Sequence, residues 1–318
     1  MRLLLFFICL CSSSLFASYS HVSGKWSPEK YSPTQSVQEH YDQGYQLLYK
    51  NMWDEALIHF MIINYHFQES PFYSDAVFYS GVCYYFQGDF DLANRQFSKY
   101  LSLSGKLKHF EKVFEFKYYI ADYYQQGRKK HLFRSEYFPK WLPAGESVLE
   151  ILDEVIASLP GREIAAKALY SKAAFHRKRR EYDKSIESLQ IITRQFPKHT
   201  LAAEAFLEIS NIYLEKSHLE AQNPDQIALA QLNLQRFRKG FPSEERLEEA
   251  EKNLMQMKEV YGQCLYDVGR FYERKKKHSA SAIYYQDAIQ KYPASEAAEK
   301  SRNRLSQLGS DLSEDVPL

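Results

Sequence analysis

Cysteine is scarce in this chain. Of four in 318 residues, Cys9 and Cys11 fall in the first apolar stretch, leaving only Cys83 and Cys264. The repeat spacing described below sets these two about four units apart, far beyond the roughly 7 Å between α-carbons that a disulfide allows. No disulfide framework is expected, and both read as small buried hydrophobes. An excess of charge of either sign is also missing: Lys plus Arg number 41 against 40 for Asp plus Glu, so no global field favours nucleic acid or an acidic membrane surface. After residue 17 no stretch offers eighteen uncharged apolar residues, so no transmembrane helix is expected in the mature chain. Motifs that carry chemistry are lacking too. There is no His-Glu-x-x-His, no Gly-x-Ser-x-Gly, no glycine-rich phosphate loop and no Cys-x-x-Cys, so no catalytic residue, metal site or cofactor is predicted. His59 and His66, the nearest to a ligand pair, stand two helical turns or about 10 Å apart, too far for one metal.

What is present is a globular composition rich in rings. Hydrophobic residues make up 45% and charged residues 25%, with 25 Tyr and 21 Phe, which excludes disorder over most of the chain. The first seventeen residues stand apart: Met1 and Arg2, an apolar run from Leu3 to Leu10, then Cys11-Ser-Ser-Ser and Leu15-Phe-Ala17. One positive charge, a short apolar run and a small-residue end describe a secretory signal. Two processing routes stay open, cleavage after Ala17 and lipidation at Cys11.

A fixed spacing then recurs. Gly44 is followed twelve residues later by Ala56 and four after that by Phe60, across an Asn51–Asp54 turn. Gly81, Ala93 and Phe97 repeat the interval around Gln87-Gly-Asp89, and so do Ala173, Ser185 and Leu189 before Pro197, and Gly269, Ser281 and Tyr285 before Pro293. A small residue on a first helix, a small residue on its partner, a large apolar residue in the gap and a closing proline are the positions of the 34-residue tetratricopeptide pattern. Two more units fit if insertions are allowed: Ala121 and Tyr124 pair with Val148, Leu152 and Val155 across an insertion at 126–145, and Ser210 and Tyr213 pair with Ala230, Leu234 and Phe237 across 216–224.

The expected architecture is therefore all-α, a right-handed superhelical solenoid of about six tetratricopeptide-like hairpins with no β-sheet, at 37–70, 72–105, 107–160, 164–198, 201–242 and 256–293. Residues 295–308 read as a polar capping helix. Outside the 37–308 solenoid lie the signal at 1–17, a Ser-, Pro- and Gly-bearing segment at 18–36 that reads as a flexible tether, and a disordered tail at 309–318.

The chain resembles the BamD family, tetratricopeptide lipoproteins of the bacterial outer-membrane β-barrel assembly machine. The resemblance rests on Tyr41 to Pro71, with Asp54-Glu-Ala-Leu-Ile-His-Phe60 and Glu69-Ser-Pro-Phe-Tyr73, on Phe237 to Pro242, and on Val268-Gly-Arg-Phe-Tyr272 with Ala280-Ser-Ala-Ile-Tyr-Tyr285 and Tyr292-Pro-Ala-Ser295. It implies export to the periplasm or the periplasmic face of the outer membrane, contact with the membrane only through an N-terminal lipid, and binding to a β-barrel assembly component or unfolded barrel substrates. A periplasmic tetratricopeptide adaptor for cell-wall synthesis or cell division would carry a similar sequence. An enzyme with the repeats as scaffold finds no span left over for a catalytic domain.

The register also nominates a binding surface. Three residues before the small position of each first helix stand Tyr41, Phe78, Tyr118, Tyr170, Leu207 and Tyr266, a column expected to line a concave protein-binding groove. The basic runs His176-Arg-Lys-Arg-Arg180 and Lys275-Lys-Lys277 fall at helix-to-helix turns and read as solvated helix ends, with no nucleic acid as partner.

Overall fold

The computed structural model describes residues 19–22, 25–132, 138–220, 223 and 225–314, with side chains between Pro28 and Leu308 in those ranges. The signal-like segment with Cys11 and Ala17 lies outside the described residues, as does the end of the tail from residue 315. Thirteen α-helices are found among them, arranged as six hairpins and one closing helix, an all-α solenoid as the spacing predicts. The chain divides into two compact units, Met1–Ala168 and Leu169–Leu318.

The first unit holds α1 (Val37–Tyr49), α2 (Trp53–His66), α3 (Tyr73–Phe86), α4 (Phe90–Leu101), α5 (Phe110–Gln125), α6 (Gly145–Ser158) and the start of α7 (Glu163–Lys178). Helix α1 begins where Ser36 forms a capping box with Glu39: the Ser36 Oγ accepts from the Glu39 amide, and the Ser36 amide donates to Glu39 Oε2 at 2.9 Å. Helix α4 shows the apolar stripe of a surface helix, burying Phe90, Leu92, Ala93, Phe97 and Tyr100. Helix α3 is apolar nearly all round because α2 and α4 cover it from two sides. A polar link crosses from α2 to α3 inside this core, with Asn64 Nδ2 donating to Ser80 Oγ at 2.8 Å.

The second unit holds the rest of α7, then α8 (Tyr182–Gln195), α9 (Thr200–Leu219), α10 (Asp225–Gly240), α11 (Arg246–Arg274), α12 (His278–Lys291) and α13 (Glu296–Glu314). Here α9 packs on α8, α10 and α11, and α13 closes the unit against α11 and α12. The core under α9 gathers Phe206, Leu207, Leu234, Phe237 and Ala250.

The glycines of the pattern explain the spacing. A Cβ built at Gly81 would meet the Phe97 ring at 2.7 Å, and one at Gly269 would meet the Tyr285 ring at 2.5 Å. The ring sixteen residues on lies directly over the glycine, and Phe60, Phe97 and Tyr285 are all fully buried. In the fourth hairpin the residue at +12 takes a polar role, with Ser185 Oγ donating to the Ala173 carbonyl at 2.8 Å. Seven residues after the small position of the first, second, fourth and sixth hairpins the chain enters the left-handed region: Asn51 and Arg180 at φ 60°, Gly88 at 77°, Lys276 at 58°. The amide one place further bonds the carbonyl five residues back, as in Met52 to Leu47, Asp89 to Tyr84, Glu181 to His176 and Lys277 to Tyr272. This is a Schellman closure that ends the first helix and turns the chain into the second.

Five sequence expectations change. The third hairpin closes the same way at Gly127 (φ 94°), with the Arg128 amide on the Tyr123 carbonyl, so its small position is Ile120 and the register through Ala121 was one residue late. Segment 18–36 is not a free tether: β1 (Tyr19–Val22) pairs antiparallel with β2 (Lys25–Pro28), a 3-10 turn follows at Glu29–Tyr31, and both β2 and the turn pack on α2. The insertion at 126–145 contains β3 (Lys130–His131) and β4 (Lys140–Leu142), also antiparallel. Both sheets are two-stranded and too short for alternation to reveal. Finally, α9 continues to Leu219 into the predicted 216–224 insertion, and α13 runs to Glu314, beyond the predicted boundary at 308.

Candidate protein-binding face

The predicted aromatic column is brought together, but as mortar between repeats. Phe78 is 3% exposed and Leu207 8%, so both are core residues rather than groove lining. Phe78 stacks on His109 at 4.1 Å and lies 5.6 Å from Tyr100, while Leu207 belongs to the cluster under α9. Tyr41, Tyr118, Tyr170 and Tyr266 are half-buried. The Tyr41 hydroxyl donates to Asp75 at 3.2 Å and that of Tyr170 donates to Glu204 at 3.0 Å. Each acceptor stands 34 residues after its donor, one repeat along, so the column joins consecutive first helices. Burial, reinforced by the neighbouring carboxylates, raises both phenol pKa values. A second repeat-to-repeat link recurs at a spacing of 33, with Gln87 donating to Asp54 at 2.7 Å and Lys216 to Asp183 at 2.6 Å.

In the third hairpin the corrected register puts Lys117, not Tyr118, in the column. Its side chain is fully buried, and its ammonium donates to Asn94 at 3.0 Å, Ser98 at 2.8 Å and Glu154 at 2.8 Å. Burial lowers the lysine pKa, opposed by the Glu154 carboxylate. All three ammonium donors have acceptors, which is what allows the charge to stay inside.

The exposed rings lie elsewhere on the first helices. In the first unit Tyr45, Tyr49, Phe86 and Tyr119 reach solvent, at 41%, 81%, 51% and 49% exposure. Tyr41, Tyr45 and Tyr49 climb one side of α1 at four-residue spacing, with successive rings 6.3 and 6.5 Å apart. Tyr45 reaches across to Tyr79 on α3 at 5.6 Å, and Phe86 stacks flat on Trp53 at 4.4 Å. Between α3 and α5 a cavity of about 780 Å³ opens among Tyr79, Val82 and Phe116, rimmed by Lys112 and Glu115, which pair with each other at 2.7 Å. The arrangement offers ring faces and an apolar depression with little unpaired charge, suited to holding another polypeptide.

Sequence reasoning missed this face although its signal was present. One and five residues after the small position stand Tyr45 and Tyr49 in the first hairpin, and Val82 and Phe86 in the second. In the second unit the same positions are Ala174 and Lys178, Asn211 and Glu215, Arg270 and Arg274, so the face turns polar. There Arg177 forms ion pairs with Glu208 and Glu215, and His176 is buried against Glu181 at 2.9 Å. The basic run 176–180 is thus only partly the solvated helix end expected.

No group of three His, Cys, Asp or Glu side chains able to hold a metal occurs among the described residues. His59 does not approach His66; its Nδ1 lies 2.9 Å from that of His40. Among the described residues Cys83 and Cys264 are free, and burial pushes the Cys83 thiol up to about 12.

Set beside known proteins, the tetratricopeptide-repeat profile matches residues 75–104 and 263–295, the α3–α4 hairpin and the hairpin of α11 with α12. These two hairpins are tetratricopeptide repeats. No curated protein matches the chain. Similar solved structures include residues 41 to the end of MamA from Desulfovibrio magneticus RS-1, 16% identical with a TM-score of 0.37, covering 66% of this chain and 97% of that one. A tetratricopeptide repeat protein from Parabacteroides merdae is 12% identical with a TM-score of 0.38, covering 80% and 92%. YrrB, described as a tetratricopeptide protein with an unusual peptide-binding site, is 15% identical with a TM-score of 0.38, covering 68% and 92%. Tetratricopeptide repeats are protein-interaction modules, and the two matched hairpins imply a protein-interaction scaffold.

Proposed function

We propose that this protein is a non-enzymatic scaffold of the bacterial envelope, of the BamD type, that holds a β-barrel assembly component or an unfolded barrel substrate against the exposed rings of its first unit. The observation that carries the reading is the solvent-facing set Tyr45, Tyr49, Phe86 and Tyr119 near the cavity between α3 and α5, in a fold whose other large rings are mostly buried among the described residues. The signal-like Met1–Ala17 supports export, and the motifs quoted above support the family. A lipid on Cys11, or release after Ala17, sets whether the protein sits on the periplasmic face of the outer membrane or free in the periplasm. The test is a pull-down from solubilised envelopes with the native protein and a Tyr49→Ala, Phe86→Ala double variant. Capture of an outer-membrane β-barrel protein that the variant loses, with unchanged thermal melting, is the expected result. Capture of division or peptidoglycan-synthesis proteins instead would replace this reading with that of a cell-wall adaptor. Capture indifferent to the substitutions would remove the aromatic face from the mechanism.

A further inference from the structure

The 29-residue helix α11 carries an apolar stripe that its neighbours cover only in part. Val260, Cys264, Val268 and Phe271 succeed one another at spacings of four, four and three, a single side of the helix about 16 Å long. They floor an open groove of about 1040 Å³ between the end of α9 at His218 and the start of α13 at Glu296. The first three are half-buried and Phe271 is 48% exposed. The charged side chains lining the groove are acidic, while at its margins Lys275 sits over the Phe271 ring at 5.9 Å and Lys300 pairs with Glu296. Glu259, Asp267 and Glu296 line the groove, with no lysine or arginine among the described lining residues. Glu259 is engaged, accepting from the Glu296 and Ala297 amides at 2.8 and 3.1 Å, and Glu296 bridges to Lys300 at 2.8 Å. Asp267 accepts from the neutral amide of Gln263 at 2.8 Å and stays exposed, so its charge lines the groove without a cationic partner among the described residues. A smaller cavity of about 440 Å³, which shares Gln256 and Glu259 with the groove, also carries Lys252, Lys258 and Lys291.

We infer that this groove is a second docking site, for an amphipathic helix of a partner protein whose apolar ridge is flanked by lysine or arginine. A four-residue ridge packs into the matching groove of a facing helix, and the stripe has the length of three turns for it to occupy. The acidic wall selects the cationic flank by complementarity and disfavours an acidic helix. This chain's own C-terminal residues do not meet the requirement, since 309–318 carry Asp311, Glu314 and Asp315 and no base.

The test uses the full chain and three synthetic peptides: a leucine-striped helix flanked by lysine, the same helix with glutamate for lysine, and a shuffled lysine peptide of identical composition. Binding is read by titration and by the rate of maleimide labelling at Cys264, resolved by mass spectrometry. The ordered lysine peptide is expected to bind and to slow labelling of Cys264. Asp267→Lys and Phe271→Ala, both surface changes that leave the melt in place, are each expected to weaken it about tenfold, and Lys258→Glu is expected not to weaken it. Absence of binding by the lysine peptide, equal binding of the glutamate or shuffled peptide, or unchanged labelling of Cys264 would each overturn the assignment. The groove is separate from the aromatic face, so loss of binding in the Tyr49→Ala, Phe86→Ala variant would speak only to the latter.

Discussion

A single absent methyl sets the approach of the two helices in a repeat. Where the small position is glycine, the opposing ring sits so close that alanine must push it. Gly81→Ala places its Cβ 2.7 Å from Phe97, whose ring is locked in the core. Overpacking of that kind costs about 1–3 kcal/mol, only partly offset by about 0.5–1 kcal/mol from removing glycine from a helix. At Gly44 the nearest approaches are 3.1 Å to the Phe60 ring and 3.2 Å to the His59 Cβ, contacts that a shift of a few tenths of an ångström between the two helices relieves. Denaturant titration is expected to show Gly81→Ala clearly destabilised and Gly44→Ala within about 0.5 kcal/mol of the native protein. The aromatic column gives a second contrast at this scale. Phe78→Ala opens a cavity among His109, Tyr100 and Phe116 and is expected to cost about 3–5 kcal/mol, whereas Tyr49→Ala, at 81% exposure, leaves the melt nearly unchanged. Equal effects in the two variants would contradict the assignment of Phe78 to the core.

Among the elements, the N-terminal segment is held to the first hairpin by a neutral histidine pair. His40 Nε2 accepts the amides of Thr34 and Gln35, both at 3.3 Å, so its proton sits on Nδ1 and is donated to His59 Nδ1. Below the same segment Tyr31 stacks on Tyr65 at 5.5 Å. Burial lowers both histidine pKa values, with each other's charge a further lowering cause at His40 and the Glu39 carboxylate the smaller opposing one. A folded pKa below the unfolded value of 6.5 means that the unfolded chain binds protons first, so the stability contributed here is present above pH 6.5 and is lost as pH falls towards the depressed folded values. Hydrogen exchange at the Thr34 and Gln35 amides is expected to lose protection on acidification below 6.5, since a proton on Nε2 removes their acceptor. The β3–β4 hairpin is fixed by comparable means. His131 bonds Asp91 at 2.7 Å, and Lys140 pairs with Asp89 at 2.5 Å and donates to the Gly88 carbonyl at 2.9 Å. Asp91→Ala is expected to speed tryptic cleavage after Lys129 and Lys130 while helix content stays constant; unaltered cleavage would show that other contacts hold the hairpin.

Taken as a whole, the molecule is a series of hairpins whose packing is local, so its stability adds up from repeats and their nearest neighbours. A core change in the first unit should therefore be felt locally. In Phe78→Ala, hydrogen exchange is expected to lose protection in α3, α4 and α5 first, with α9 to α12 of the second unit keeping theirs at the same denaturant concentration. Uniform loss along the chain would point to a single cooperative unit instead. The division of labour between the units belongs to this scale too. The first unit exposes rings and the second exposes charged side chains at equivalent positions, with an acid-walled groove on α11, so one chain presents two surfaces of different chemistry.

The sequence by itself determined the helix pairs, because the interval of twelve and sixteen residues after Gly44, Gly81, Ala173 and Gly269 encodes which residues meet across a hairpin. It also determined where four of the first helices end, with a left-handed residue at +7 in Asn51, Gly88, Arg180 and Lys276. Register from one unit to the next was harder to read, since only the position of Gly127 reveals that Lys117 takes the place of Tyr118. Tertiary structure alone decided which rings are surface. A tyrosine in the column and a tyrosine four residues later look alike in sequence; burial depends on what the neighbouring repeat sets against each, His109 and Tyr100 over Phe78, solvent over Tyr49. The packing of β2 and the turn at Glu29–Tyr31 on α2 was likewise hidden, because a four-residue strand has no periodicity and the helix it packs on begins only at Trp53. Packing partners are non-local, and exposure, unlike helix pairing, is a property of those partners.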